Sequence, residues 1–207
     1  MLTEKELRIV ELYRKDIFAT YPIREIMKAL GTSSYNWEHT AVKKLIKEGI
    51  VTAEEKGKAI ICRINLDSQS AISHLSYVEE IRGIKVEIPH IKKVLDMIDP
   101  NYFTLLVAGS YAKGKATKES DIDIVVIVGN KEEVKPLINR LKREGELMIP
   151  EIHPYVFTDD EFYLMLLSKE GNYGKEIFMN HLIMHGAEGY YNIIKKAVQN
   201  GFKGQNL

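Results

Sequence analysis

"VAGSYAKGKATKESDIDIVVIV", residues 107–128, decides the reading of this chain. An apolar run ends on Gly109-Ser110; after ten more residues, Asp121 and Asp123 stand at the head of a second apolar run. Strand residues two apart point to the same face. The spacing therefore predicts a strand whose two carboxylates project together while Ile122 and Ile124 enter the core. Two such anions repel unless a cation or a proton lies between them. Carboxylate sites favour hard divalent cations, and Mg²⁺ commonly takes one or two carboxylates plus substrate phosphates. A glycine at 109 lets backbone approach a ligand closely. The neighbouring amides, the Ser110 hydroxyl, Lys113 and Lys115 suit phosphate oxygens. Asp-x-Asp alone also fits a solvent-facing strand, so the combination with Gly-Ser carries the inference.

The run "GSYAKGKATKESDIDIVV" resembles the signature of the DNA polymerase beta-like nucleotidyltransferase superfamily, and within it the minimal nucleotidyltransferase group. The resemblance covers roughly residues 100–160 and rests on Gly109, Ser110, Lys113, Gly114, Ser120, Asp121 and Asp123. It implies transfer of a nucleoside monophosphate, AMP first among them, from an NTP to a protein or RNA acceptor with loss of pyrophosphate. It also implies two Mg²⁺ ions held by three carboxylates, with Gly109, Ser110, Lys113 and Ser120 at the nucleotide. Glu151, in "EIHPYVFTDDEF", is the candidate third carboxylate, with Glu146 as the alternative. The wider superfamily usually has Asp there, and Glu is longer by one methylene. The same resemblance suggests a toxin–antitoxin-like setting with a protein partner as acceptor.

Working outward, residues 100–207 read as strands "YFTLLVA", "DIDIVVIV" and "ELMIPEIHPYVFT". The prolines put the last of these at an edge or a bulge. "KEEVKPLINRLKREG" reads as a helix despite Pro136, and "DDEFYLMLLSKE", "YGKEIFMNHLIMHG" and "AEGYYNIIKKAVQN" read as three more. Residues 67–99 read as a helical connector or a homodimer contact.

Residues 1–66 give helix, helix, helix, hairpin, the order of a winged helix-turn-helix. Thr3 with Glu6 makes a capping box. Pro22 and Gly31 bound the second helix, and Gly49 stops the third. This segment resembles the winged domains of transcription regulators. DNA contacts would come from Asn36, His39, Lys43 and Lys44 in the third helix and from Lys56 and Lys58 in the hairpin. Twelve Lys and Arg against nine Asp and Glu make the segment only modestly basic, so protein contact is the competing use. The expected fold class is α+β: a winged helix-turn-helix followed by a polymerase beta-like domain with a short mixed sheet covered by helices. A DNA-binding regulator that senses NTP without turnover is the alternative function.

Composition sets limits. Lys plus Arg and Asp plus Glu both total 29 among 207 residues, so any nucleic-acid site must come from local clustering. A single cysteine, Cys62, excludes an internal disulfide and a cysteine-rich zinc site. The N-terminus alternates charged and apolar residues, unlike a signal peptide. No stretch reaches the roughly 20 apolar residues of a membrane span, so a cytoplasmic protein without a membrane partner is expected. His181 and His185 in "HLIMH" share one face if that run is helical, but with no third ligand they read as ordinary histidines. Tyr190 and Tyr191 read as core, and Cys62 as buried and inert. If Glu151 faces the site, His153 points the same way.

Overall fold

Thr3 opens the first helix, α1 (Glu4–Lys15), through the capping box that its spacing to Glu6 predicts. Ile9, Val10 and Tyr13 form its buried stripe. The computed structural model describes residues 1–31, 35–57, 59–99 and 101–204, with the backbone alone of 35–38. The chain divides into two compact units, Met1–Val78 and Glu79–Leu207.

In the first unit α1 is followed by β1 (Tyr21–Pro22), α2 (Ile23–Leu30), α3 (Tyr35–Lys47), β2 (Val51–Lys56) and β3 (Ala59–Ile64). The strands form a sheet in the order β1-β3-β2, and β2 pairs antiparallel with β3. Gly49 ends α3 at φ 71°, a left-handed conformation that side chains with a Cβ avoid. The amides of Gly49 and Ile50 turn back to the carbonyls of Ile46 and Leu45. Cys62 is buried in β3, and burial pushes its thiol up to about 11. The long helix α4 (Gln69–Lys85) contains the boundary between the units.

The second unit continues with α5 (Ile91–Asp96), β4 (Phe103–Val107), α6 (Gly109–Ala112), β5 (Ile122–Val128), α7 (Lys131–Gly145) and β6 (Ile152–Thr158). It ends with α8 (Asp159–Leu167), α9 (Tyr173–Met179), β7 (Leu182–His185) and α10 (Ala187–Gln199). The sheet order is β6-β5-β4-β7. The β5–β6 pair is parallel and the other two pairs are antiparallel, so the sheet is mixed. A parallel pair needs a long crossover, and α7 supplies it. Leu137 and Leu141 of α7 pack on the face formed by Ile122, Ile124, Val126, Val128, Leu105 and Val107. Helices α8 and α10 pack together and against strands of the same sheet.

Two expectations change. The "LIMH" of "HLIMH" is the edge strand β7 and His181 precedes it outside any helix, so His181 and His185 share no helical face. The helix ends at Met179 because the next residues pair with β4, with Ile183 opposite Leu106 and Leu182 opposite Val107. The predicted strand "ELMIPEIHPYVFT" is ordered as a strand only from Ile152. Glu146 is the C-cap of α7, so it does not stand at a strand's start. Tyr190 and Tyr191 are buried, and β6 lies at an edge as its prolines suggest.

Candidate active site

The parallel register of β5 and β6 builds the site. Asp123 lies opposite His153, and the Ile122 amide donates to the Glu151 carbonyl at 2.8 Å. Asp121 and Glu151 each stand one residue before their strand. Alternation then gives Asp121, Asp123, Glu151, His153 and Tyr155 one face, at the N-terminal ends of neighbouring strands. Exposure falls along that face: the Asp121 side chain is 49% exposed, Asp123 is half-buried and Val125 is fully buried. The carboxylates therefore occupy the open end of a strand whose remainder is core.

Gly109 sits against this face. It begins α6 at φ 62°, and the Ala108 amide donates to the Asp123 carbonyl at 2.9 Å. A Cβ at 109 would lie 3.0 Å from Cγ of Asp123 and would overlap Oδ2. Both the backbone angle and the packed carboxylate thus require glycine. Burial raises the Asp123 pKa above its ordinary value. His153 and Lys113 pull it down, while Asp121 adds to the rise.

Nε2 of His153 stands 3.5 Å from Oε1 of Glu151 and 3.8 Å from Oδ2 of Asp121. One ligand atom from each of these three residues lies within 4.8 Å of the other two. A cation with bonds of about 2.1 Å holds neighbouring ligands about 3 Å apart and opposite ones about 4.2 Å apart. The donor set therefore fits a divalent cation after small side-chain rotations, which half-exposed groups can make. Glu146, capping α7, is not part of this cluster.

The remaining predicted site residues divide. Ser110 is half-buried in α6, and Lys113 caps that helix with its side chain exposed. Ser120 accepts from the Thr117 amide at 2.9 Å, so its hydroxyl fastens the loop before Asp121. In the first unit Lys44 is tied to Glu6 at 2.8 Å and donates to the Met1 carbonyl at 3.3 Å. Burial alone would raise the Glu6 pKa, but the bonds from Lys44 and Thr3 outweigh it and hold the carboxyl low. Lys43 and Lys56 are exposed, with Lys56 3.9 Å from Glu54, and His39 is half-buried. Lys58 and the Asn36 side chain lie outside the described residues.

Two aromatic neighbours escaped the sequence reading. Tyr155 follows His153 by two on the same face, and its ring lies 4.6 Å from that of Tyr173 at the start of α9. The Tyr173 hydroxyl is buried with no hydrogen-bond partner among the described residues. Its pKa is raised by burial and then by the nearby Asp123 charge. Alternation from Glu151 would have found Tyr155, whereas no local signal marks Tyr173.

Residues 90–183 match the family model of the nucleotidyltransferase domain. The match spans β4, β5, β6 and the whole carboxylate face, and it supports transfer of a nucleoside monophosphate in general terms. The comparison with curated proteins found no match. Among the described residues, no helix is long and apolar enough to cross a membrane.

Proposed function

We propose that the chain is a Mg²⁺-dependent nucleotidyltransferase that moves an NMP, AMP first among them, from an NTP to a protein or RNA acceptor. The observation that carries this reading is the shared face of Asp121, Asp123 and Glu151, with Asp123 packed against Gly109, within the span that matches the nucleotidyltransferase domain. Asp121, Asp123 and Glu151 would hold two Mg²⁺ ions. When bound, such ions neutralise the triphosphate and lower the pKa of an attacking hydroxyl. Glu151, half-exposed one residue before β6, would accept the proton of that hydroxyl. The Ser110 hydroxyl donates to a phosphate oxygen, and the exposed Lys113 ammonium offsets phosphate charge. The exposed Tyr155 ring, packed on Tyr173, offers a surface on which a nucleobase can stack. A protein acceptor in a toxin–antitoxin-like pair accords with the resemblance of the motif.

A second reading, a DNA-binding regulator that senses NTP, draws on the first unit. Helix α3 followed by the β2–β3 hairpin has the order of a winged helix, with Lys43 and Lys56 exposed. The test of both mixes the purified protein, Mg²⁺ and each α-³²P-labelled NTP with host lysate and resolves the products by size. Label on one protein or RNA band, lost in Asp121→Asn with Asp123→Asn, is the expected result. Label that survives this double change refutes the site. No label, with NTP altering affinity for a DNA duplex, favours the regulator.

A further inference from the structure

We infer that His153 is a direct nitrogen ligand of one divalent cation at this site, together with Asp121 and Glu151, and that the position prefers Mn²⁺ to Mg²⁺. The inference rests on the nucleotidyltransferase reading for the presence of a cation and adds the ion's chemistry. Two independent observations converge on it. The strand register brings a ring nitrogen into the carboxylate cluster, with Nε2 3.5 Å from Glu151 and 3.8 Å from Asp121. The domain match over residues 90–183, a span that contains all three residues, separately makes a divalent cation expected, because nucleotidyltransferases typically use one.

The donor set decides the metal. A site of carboxylate oxygens and water suits Mg²⁺, which rarely takes nitrogen. Imidazole suits first-row transition ions, and Mn²⁺ is the one among them that shares the carboxylate and water preference of Mg²⁺, so an added nitrogen ligand favours it over Mg²⁺ at an otherwise oxygen-rich site. His153 is 45% exposed, and its ring nitrogen lies within 4.8 Å of a ligand atom of each neighbour. Closing 3.5 and 3.8 Å to the roughly 3 Å of adjacent ligands needs only rotation about side-chain bonds. The competing role for this imidazole is a protonated counter-charge among three carboxylates, which would hold the ring off any metal.

The test adds Mn²⁺ alone to the full chain and reads ¹⁴N hyperfine coupling by pulsed electron paramagnetic resonance, beside Mg²⁺ competition. Wild type should show one strong imidazole coupling. His153→Gln should lose it while still binding Mn²⁺. The Mg²⁺ excess needed to displace Mn²⁺ should fall by about tenfold or more, the loss that even an outer partner of a metal ligand causes. Bound Mn²⁺ without ¹⁴N coupling in wild type would make His153 a counter-charge and overturn the inference. So would coupling that persists in His153→Gln, which would trace to another of the six histidines. Failure to bind Mn²⁺ at all would overturn it too. Label transfer is scored separately, so the inference and the enzymatic reading can fail independently.

Discussion

Replacing Gly109 by alanine should damage the site in two separable ways. The residue holds φ 62°, and forcing a Cβ residue into that left-handed region costs about 1–2 kcal/mol. The new Cβ also overlaps the Asp123 carboxylate, and overpacking of this kind costs about 1–3 kcal/mol. Gly109→Ala should therefore destabilise the second unit by about 2–5 kcal/mol in all. In an Asp123→Ala background the overlap is gone, and only the backbone cost of about 1–2 kcal/mol should remain. The assay is urea unfolding followed by circular dichroism. The single tryptophan, Trp37, belongs to the first unit, so its fluorescence would follow the wrong transition. Exchange of the Val125 and Val126 amides identifies the transition of the second unit. Costs that agree within about 0.5 kcal/mol in the two backgrounds would refute the packing of Asp123 against Gly109.

Other consequences follow from particular contacts. Lys44→Ala should destabilise the first unit near neutral pH, because it strips a charged hydrogen bond from the nearly buried Glu6. The folded pKa of Glu6 is lowered, so that stability is present above its unfolded pKa and lost as pH falls through the folded one. The gap between Lys44→Ala and wild type should close in acid, and a pH-independent gap in paired melts would reject the ion pair. Leu141→Ala, on the buried face of α7, should cost about 2–5 kcal/mol in urea unfolding. Asp121→Asn with Asp123→Asn should abolish transfer yet melt no lower than wild type, since it relieves repulsion between neighbouring carboxylates. Lost activity accompanied by a lower melting temperature would mean the pair is structural.

Much of the site is legible wherever the signal is local. Thr3 with Glu6 reports a helix start through two hydrogen bonds closed over three residues. Asp121 and Asp123 report a strand face because the period of two is fixed by the backbone. What the chain hides depends on distant partners. "LIMH" is too short and too apolar to tell strand from helix, and β7 forms because β4 has an edge to pair. Telling Glu151 from Glu146 depends on where α7 stops and β6 begins, six residues of irregular chain apart. Tyr173 reaches Tyr155 only through the fold of α8 and α9, which no spacing along the chain records.

The carboxylate face is the central claim, and Glu151 is its most exposed test. Glu151→Gln and Glu146→Gln should be compared in the labelled-NTP transfer assay at saturating Mg²⁺. Loss of a group that stabilises developing charge or moves the proton costs about a hundredfold or more. The account predicts that fall for Glu151→Gln and wild-type transfer for Glu146→Gln. Equal activities, or a loss confined to Glu146→Gln, would contradict it.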